Sequence, residues 1–273
     1  MKFKYPKNRG LHSRTGLGVV LALGLILQGQ KLFAIELGTA EAFAVLAGTT
    51  VTNTGATTIT GDVGVSPGTA ITGFNTVTLT GTSTTHLNDA VAQQAQRDLT
   101  TAYNEAAGLQ FTQDLTGTDL GGLTLVAGVY KFSSSAQLTG TLTLDFQGNP
   151  DSLFVFQIGS TLTTASNSSV SIINGAEACN VFFQIGSSAT LGTNTDFTGN
   201  ILALTSITLN TGASIDGRAL ARNGAVTMDT NVITASECHT TSVPDGGSTL
   251  LLLASTVGTM GWMAQRASRR RAA

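Results

Sequence analysis

The sequence predicts an all-β-dominated fold: a right-handed, three-faced parallel β-solenoid (β-helix) with one long α-helix packed alongside. Three observations support it, namely an internal repeat, short apolar alternations broken by small residues, and one segment with helical periodicity. Of the 273 residues, 11% are charged and 41% are hydrophobic. Disordered chains are rich in charge and poor in aliphatic residues, so this composition favours one folded body.

The internal repeat is a tetrad of Thr, Leu or Met, any residue, and Thr. Its starts are separated by 29, 18 and 19 residues. A unit of 18 or 19 residues provides three short strands and three corners, the size of one coil of a three-faced parallel solenoid. The tetrads are TLTT (161–164), TLGT (190–193), TLNT (208–211) and TMDT (227–230).

Within the repeats, apolar residues alternate along short segments such as 181–185 and 201–203. Gly, Asn and Ser interrupt these segments every five to seven residues, a pattern typical of strands joined by corners. An antiparallel sandwich is the alternative. Its hairpins would show Asn-Gly or Asp-Gly turns, but the pairs at Asn174, Asp216 and Asn223 recur at intervals closer to whole coils.

Residues 87–109 contain the predicted helix, which extends over about 88–107. Asn88 or Asp89 can cap its start, and Gly108 lies where a C-terminal cap belongs. A helix of this length spans about 30 Å, which equals roughly six coils stacked at about 4.8 Å. We therefore expect it to lie along a whole face of the solenoid. Its apolar stripe consists of Leu87, Val91, Ala92, Ala95, Leu99, Ala102 and Ala106.

The N-terminus has the three parts of a secretory signal peptide. Basic residues precede an apolar run at 17–27, and a small-residue site ends at Ala34, after which cleavage is expected. A retained membrane anchor is the alternative, although the apolar run is short for a span. We expect residues 1–34 to be removed and the body, residues 35–242, to be exported to the extracellular space or cell surface.

Residues 243–273 form a second targeting segment. The motif Val243-Pro244-Asp245-Gly246-Gly247 precedes an apolar run and a cluster of arginines at 266–271. This order resembles the C-terminal sorting signals read by exosortase-type transpeptidases, with Gly246 where the closest variant has Ser. A plain C-terminal transmembrane helix is the alternative. In either case the basic end stays cytoplasmic, and the segment attaches the exported body to the inner membrane before any processing.

The body is acidic. Between residues 35 and 265 there are 16 carboxylates and four cationic side chains, a net charge of about −12 (4 − 16). This balance argues against nucleic acid as a partner, because such binding requires clustered Lys and Arg. Cys179 and Cys238 lie 59 positions apart and match no metal-ligand spacing. In an exported body we expect them to form a disulfide, and two free buried thiols are the alternative.

Three segments, residues 37–74, 125–132 and 178–233, together with the helix, resemble the bacterial and fungal ice-binding proteins. The unusual strings GDVGVSPG and GRALARNGAVT carry much of this resemblance. It implies an irregular β-solenoid with one long helix alongside, and an antifreeze activity that limits ice recrystallisation. It also implies ice or ordered water as the ligand. We further expect no cofactor and a monomer.

Repeated threonines provide a physical reason for such an activity. Alternate side chains of a strand share a face at about 6.7 Å, and stacked coils repeat at about 4.8 Å, so threonines recurring in each coil form a grid. Each hydroxyl can order a water molecule, whereas each methyl cannot. A rigid, uncharged grid can therefore hold a water layer that merges with a growing ice crystal.

Active members of the family often carry a motif of Thr, Ala or Gly, any residue, and Thr or Asn on the binding face. It matches at 54–57, 69–72 and 164–167 and nearly matches at 211–214, while Asp196 and Asp229 beside later rows indicate moderate activity. Any single Thr has the alternative role of an ordinary solvated strand residue. The predicted ice-binding residues are Thr54, Thr57, Thr69, Thr72, Thr164, Asn167, Thr193, Thr195, Thr211, Ser214 and Thr230.

The sequence gives little support for catalysis. The three histidines are far apart along the chain, and no pattern indicates a metal site. Asp114, Asp119, Asp145 and Asp151 could pair as acid and base, but they lack the surrounding aromatic and basic residues that grip a sugar. We therefore expect no enzyme and no metal. A cell-surface adhesin or glycan-binding module is the alternative function.

Overall fold

The computed structural model describes residues 35–175 and 178–235. Before the helix, the chain forms two 3-10 helices, Gly38–Ala42 and Phe74–Thr76, and seven short strands. The strands are β1 (Phe43–Ala47), β2 (Thr50–Thr54), β3 (Thr57–Thr60), β4 (Asp62–Val65), β5 (Ala70–Thr72), β6 (Val77–Thr80) and β7 (Thr85–Leu87).

The single α-helix of the described residues, α1, extends over Ala90–Gly108, and a 3-10 helix, Ala178–Asn180, precedes β16. Fifteen strands follow α1. They are β8 (Gln113–Asp114), β9 (Thr124–Val126), β10 (Gly128–Phe132), β11 (Ala136–Leu138), β12 (Thr141–Asp145), β13 (Phe154–Ile158), β14 (Leu162–Thr164), β15 (Ser169–Ile173), β16 (Val181–Ile185), β17 (Ala189–Leu191), β18 (Asp196–Ala203), β19 (Ile207–Leu209), β20 (Ser214–Ala221), β21 (Val226–Asp229) and β22 (Val232–Thr234).

The strands stack in parallel and form three ladders. β18 and β20 each belong to two ladders, because their first halves pair in ladder C and their second halves in ladder A. Ladder A is β7-β4-β1-β20-β18-β16-β13-β10-β8, ladder B is β5-β2-β21-β19-β17-β14-β11, and ladder C is β6-β3-β22-β20-β18-β15-β12-β9. This confirms a sheet-dominated solenoid of parallel strands with one helix.

The order of the coils differs from the order of the chain. The N-terminal strands β1, β2 and β3 attach to β20, β21 and β22, which are near the C-terminal end of the described residues. β4, β5, β6 and β7 then form one end of the stack, and β8, β9 and β11 form the other. The helix α1 connects β7 to β8, so it returns the chain along the length of the stack.

Aromatic rings stack in the interior from coil to coil. The ring centroids of Tyr130 and Phe156 lie 5.4 Å apart and those of Phe156 and Phe183 lie 4.4 Å apart, and both pairs are in register between neighbouring strands of ladder A. These two distances follow the strand spacing of a parallel sheet. The Phe183 and Phe197 centroids lie 4.8 Å apart across the interior of one coil, between ladders A and C. Full burial of a Phe side chain contributes about 1.5–3 kcal/mol, so the stack makes the coils mutually dependent and rigid.

The helix covers ladder A. The Asp89 carboxylate caps its start by accepting a hydrogen bond from the Ala92 N–H at 2.9 Å. Two residues of the predicted stripe are exposed instead: Leu87 (51%) because it belongs to β7, and Val91 (44%) because it lies at the edge of the stripe. Ala92 is buried near the start of the helix. The helix residues Ala95, Leu99, Ala102, Tyr103 and Ala106 belong to a buried cluster that includes Leu46, Val155, Phe182, Leu202 and Leu220.

Several predictions concern residues that the structure does not describe. The signal peptide (1–34), Cys238, the sorting motif (243–247) and the C-terminal membrane segment all lie outside the described residues. In residues 35–175 and 178–235, no helix combines the length and apolar character required to cross a membrane. Cys179 is buried at the last 3-10 helix.

Candidate functional site

Ladder B carries a continuous row of threonines, called here the threonine row. Each member is the outward residue of its strand; Thr208, for example, lies between Ile207 and Leu209, which are 0% and 1% exposed. Six successive coils contribute a Thr at the same register, and the seventh contributes Gln137. In stacking order the threonine row is Gln137, Thr163, Thr190, Thr208, Thr227, Thr52 and Thr72.

Two columns flank the threonine row, and the three columns together form face B. Because side chains alternate along a strand, residues two positions before and after each row member lie on the same side. Within this set Asp229 is the only charged residue. The column before the row is Ser135, Thr161, Ser188, Ser206, Ala225, Thr50 and Ala70, and the column after it is Thr139, Ala165, Gly192, Asn210, Asp229 and Thr54. The coil of Thr72 adds no member to the second column, because β5 ends at Thr72 and a 3-10 helix begins at Phe74.

Hydrogen bonds between coils hold the first of these columns in place. The Thr161 hydroxyl donates to Ser135 Oγ at 2.9 Å. The Ser206 N–H donates to Ser188 Oγ at 3.3 Å, and the Ala225 N–H donates to Ser206 Oγ at 3.2 Å. These bonds restrict side-chain rotation, so the edge of face B is ordered before any ligand binds.

The other two ladders differ from ladder B in accessibility and charge. Ladder A lies under α1. Ladder C places Asp196 and Ser214 in one row and Asp216 beside Thr234 in another, so carboxylates interrupt its threonines. It also exposes the apolar side chains of Ile173 and Val232, at 40% and 53%. Face B is therefore the surface of the three that is both open and nearly free of charge.

Several predicted ice-binding residues lie on or beside face B. Thr72 belongs to the threonine row, Thr54 belongs to a flanking column, and Thr69 is exposed just before β5. Four more, Asn167, Thr193, Thr211 and Thr230, are exposed at the corner between ladders B and C, and Ser214 begins a strand of ladder C. The corner requires left-handed backbone at Asn167 (φ 57°) and Thr230 (φ 55°).

Three of the predicted ice-binding residues are buried, so the sequence-based prediction is wrong at these positions. Thr57, Thr164 and Thr195 are 1%, 3% and 0% exposed, so their side chains cannot contact ice. Thr164 stands in register with the buried Leu138 and therefore points into the solenoid. Its hydroxyl accepts a hydrogen bond from the Gly192 N–H at 2.8 Å, and Thr57 Oγ1 accepts one from the Asn231 N–H at 3.0 Å. These threonines satisfy buried backbone groups at the corner.

The sequence-based list omitted five central members of the threonine row, namely Thr52, Thr163, Thr190, Thr208 and Thr227. The sequence alignment of the tetrads placed Thr161 opposite Thr190. In the structure the neighbouring strands instead pair Thr163 with Thr190, an offset of two residues. An offset of two preserves the side to which a side chain points. The alternation of Ile207, Thr208 and Leu209 was the signal that could have identified the row.

Asp229 lies beside the threonine row, and neighbouring hydroxyl groups donate hydrogen bonds to its charged carboxylate. The hydroxyls of Thr211 and Thr230 both donate to its carboxylate, the latter at 3.0 Å. These bonds orient two corner threonines and place the negative charge between hydroxyl donors. The carboxylate therefore interrupts face B less than its charge alone suggests.

Three of the four carboxylates that the sequence offered for acid and base chemistry, Asp114, Asp119 and Asp145, have structural roles. Hydrogen bonds from Thr116 lower the pKa of Asp114, and the Asn174 side chain and the Gln147 N–H lower the pKa of Asp145. Burial alone would raise the pKa of Asp119, but hydrogen bonds from Gly121 and Thr139 outweigh it, and the net shift is downward. A general acid requires a raised pKa, so these groups favour turn stabilisation over catalysis.

No cluster of three or more His, Cys, Asp or Glu side chains among the described residues could hold a metal ion. The His86 ring contacts Asp89 at 2.8 Å and Asp62 at 3.5 Å. These contacts connect the start of α1 to β4.

Comparisons with known proteins agree on one group. The family model described as Ice-binding-like matches residues 45–234. The chain is 63% identical over 225 residues to the Ice-binding protein of Nostoc sp. (strain HG1), covering 80% of this chain and 82% of that protein.

Two solved structures are similar to this one. A crystal structure of an ice binding protein from an Antarctic Biological Consortium has a TM-score of 0.71 at 51% identity and covers 74% of this chain and 90% of that chain. The ice-binding protein of the Antarctic ascomycete Antarctomyces psychrotrophicus has a TM-score of 0.72 at 45% identity and covers 75% of this chain and 100% of that chain.

Proposed function

Because the chain belongs to the ice-binding-like family, we propose that it adsorbs to ice through face B. The observation that carries this proposal is the threonine row, in which six coils present a Thr at one register on the open, nearly uncharged ladder. The neighbouring strands are about 4.8 Å apart and the columns of face B about 6.7 Å apart, so the hydroxyls form a regular grid.

The mechanism depends on water that the face holds before it meets ice. Each threonine hydroxyl can donate one hydrogen bond and accept others, while its methyl group excludes water from the space between hydroxyls. The buried core behind the row, which includes Ile207, Leu209 and Val226, keeps the hydroxyl spacing fixed. Water ordered at this spacing merges with the surface layer of an ice crystal, and adsorbed protein then slows the growth and recrystallisation of that ice.

The remaining sequence-based expectations are part of the same proposal. The three ladders support a three-faced solenoid, for which we retain the right-handed sense. We further propose an exported monomer that has no catalytic activity and no cofactor, with Ala34 as the signal cleavage site and residues 243–273 as the sorting or anchoring segment. Of the predicted site residues, Thr54, Thr69 and Thr72 belong to the contact surface, and Asn167, Thr193, Thr211, Ser214 and Thr230 border it.

The relatives named above are described as ice-binding proteins, so an adhesin or glycan-binding module is not favoured. Sugar recognition commonly uses exposed aromatic rings. Among the described residues Phe111 is the only exposed aromatic, and the Lys131 ammonium lies 4.8 Å from the centre of its ring.

The test compares matched threonines on two ladders. Thr208→Tyr places a bulky ring in the middle of face B, whereas Thr143→Tyr makes the same change at an equally half-exposed outward position of ladder C. We expect thermal hysteresis of the Thr208→Tyr variant to fall at least severalfold and that of Thr143→Tyr to stay near the parent value, with circular dichroism confirming both folds. Equal activity of the two folded variants would exclude face B, and grain growth as fast as in buffer for the parent protein would exclude ice binding.

A further inference from the structure

The turns that leave ladder A after β4 and β20 meet the middle of α1 around a hollow at the edge between ladders A and B. The hollow has a volume of about 320 Å³, at the lower end of the range of small-molecule sites, about 300–1,000 Å³. We call it the arginine pocket, because two arginines line it. The polar residues of its lining are Ser66, Gln96, Arg97, Thr100, Arg222 and Asn223.

The arginine pocket concentrates positive charge in an acidic protein. Between residues 35 and 265 there are four Lys and Arg side chains and 16 carboxylates, and two of the four cations, Arg97 and Arg222, line this hollow. No Asp or Glu is among its lining residues, and within the described part of the chain neither arginine forms an ion pair with a carboxylate. Two like charges in one hollow repel each other, so an anion placed between them is stabilised.

The carboxylate next to Arg97 in the chain is bonded to other groups. Asp98 Oδ2 accepts a hydrogen bond from the Thr39 N–H at 2.9 Å, and Asp98 Oδ1 accepts one from Gln94 Nε2 at 2.7 Å. Arg97 donates through Nε and Nη2 to Gln94 Oε1, at 3.2 and 2.7 Å. Gln94 therefore holds one edge of the Arg97 guanidinium group and leaves its Nη1 available to a ligand.

Arg222 is held in a fixed orientation by contacts that do not use the end of its guanidinium group. Its guanidinium carbon lies 4.6 Å from the centre of the Tyr103 ring, and its Nε donates to Thr100 Oγ1 at 3.3 Å. The ring is itself fixed, because Tyr103 is buried and its hydroxyl donates to the Ile185 carbonyl at 3.3 Å. Among the described residues, none accepts a hydrogen bond from Nη1 or Nη2 of Arg222. These two nitrogens can form a fork around an oxyanion.

Hydrogen bonds join the elements that form the walls of the arginine pocket. Gln96 Nε2 donates to the Ala221 carbonyl at 3.1 Å, which connects α1 to the turn after β20. Ser66 Oγ donates to Asn88 Oδ1 at 3.0 Å, which connects the turn after β4 to the residues before α1. The walls are therefore in place before any ligand arrives, so binding orders few additional groups.

We propose that the arginine pocket binds the carboxylate or phosphate group of a small organic molecule, of the size of a sugar acid or a sugar phosphate. Arg222 donates through Nη1 and Nη2 to two oxygens of that group, and Arg97 supplies a second positive charge through Nη1. Guanidinium groups match carboxylate and phosphate in the same two-pronged geometry, so both groups share one recognition chemistry. The exposed Asn223 side chain is available to a hydroxyl group of the ligand.

The arginine pocket is separate from the threonine row. Asn223 lies two residues before Ala225, which belongs to the column of face B nearest to ladder A. A small ligand in the pocket therefore leaves the threonine row uncovered, and the protein can hold an anionic solute and ice at the same time. Ligand binding is measured in solution without ice, so its outcome is independent of the function proposed for face B.

Nuclear magnetic resonance titration of the exported protein at low salt tests the proposal with three probes built on one sugar. Galacturonate carries a carboxylate, galactose phosphate carries a phosphate, and galactose is the neutral control. We expect saturable shifts with at least one anion, at millimolar concentration or below, and none with galactose. Added salt should weaken the binding, because it screens the charges. Saturation by one anion alone identifies the group that the pocket prefers, and saturation by neither would overturn the proposal.

Charge-removing substitutions locate the binding. Arg97→Gln and Arg222→Gln each remove one guanidinium group and should weaken anion binding about tenfold. Lys131→Gln removes a positive charge from β10, outside the pocket, and should bind as the parent does. Circular dichroism verifies the fold of each variant, and the exposed Arg97 provides a test that does not disturb the packing on Tyr103. Parent-like affinity in both folded pocket variants, or an equal loss in Lys131→Gln, would contradict the proposal.

Discussion

Thr164 Oγ1 and Thr195 Oγ1 lie 2.8 Å apart inside the solenoid, and Thr164 also accepts the Gly192 N–H at 2.8 Å. Both residues are among the predicted ice-binding residues, yet their hydroxyls connect two coils and never reach the surface. Threonine in this fold therefore has two separate roles, and stability and ice binding should respond to different substitutions.

The first prediction separates these roles at Thr164. Thr164→Val keeps the side-chain volume but leaves the buried Gly192 N–H without its acceptor, at a cost of about 1–3 kcal/mol. We expect a lower denaturant midpoint and unchanged thermal hysteresis per folded molecule. Thr163→Val, at the adjacent outward position, should give the reverse result, with stability retained and activity reduced. Loss of activity in folded Thr164→Val would contradict the assignment.

The fold was largely predictable because its signals are local. Apolar and polar side chains alternate with period two along each strand, and the corners require Gly or Asn. The pattern of each coil can therefore be recognised within about twenty residues of sequence. The stacking order was not predictable. β1 lies between β20 and β4 in ladder A. Its pairing with β20 joins residues more than 170 positions apart in the chain, and no local sequence pattern encodes that pairing.

The sequence predicted a surface of repeated threonines, but it did not identify most of the threonines that form the threonine row. Motif matching selected Thr57 and Thr164 as members of matching tetrads, and Thr195 was included although its segment departs from the motif, but all three side chains point inward at the corners. The threonine row instead follows the register of ladder B, which joins Thr163 with Thr190 and Thr208 with Thr227. Register across coils depends on the lengths of the intervening corners, which differ from coil to coil.

A second prediction concerns Asp229. Its carboxylate is the only charge on face B, and it accepts hydrogen bonds from Thr211 and Thr230. Asp229→Asn keeps an acceptor oxygen and removes the charge, so water beside the row is no longer oriented by an ion. We expect thermal hysteresis to rise by up to about twofold, with stability lowered by no more than about 1 kcal/mol because one charged hydrogen bond becomes neutral. A fall in activity in the folded variant would show that the charge assists binding.

A third prediction tests how closely α1 approaches ladder A. Ala102 is 0% exposed against the cluster formed by Phe182 and Leu202, so Ala102→Leu overfills the interface and should cost about 1–3 kcal/mol. Ala107→Leu makes the same change at an exposed position of the same helix and should alter stability by less than about 0.5 kcal/mol. Urea denaturation of the two variants measures the difference. Similar midpoints would mean that the helix can move away from the sheet without loss.

The last prediction concerns acid stability. Burial alone would raise the pKa of Asp98, but hydrogen bonds from the Thr39 side chain and N–H, together with Gln94, outweigh it and hold the pKa below 3.8. A carboxyl whose pKa is lower in the folded state contributes stability that is complete above its unfolded pKa and is lost as pH falls through the folded value. We therefore expect the melting temperature to stay nearly constant from pH 7 to about pH 4.5 and to fall below about pH 3.8. Asp98→Asn should melt lower than the parent at pH 7 and lose less on acidification, because its side chain no longer titrates. Parallel pH profiles of parent and variant would show that this contact between α1 and the first 3-10 helix does not contribute to the acid response.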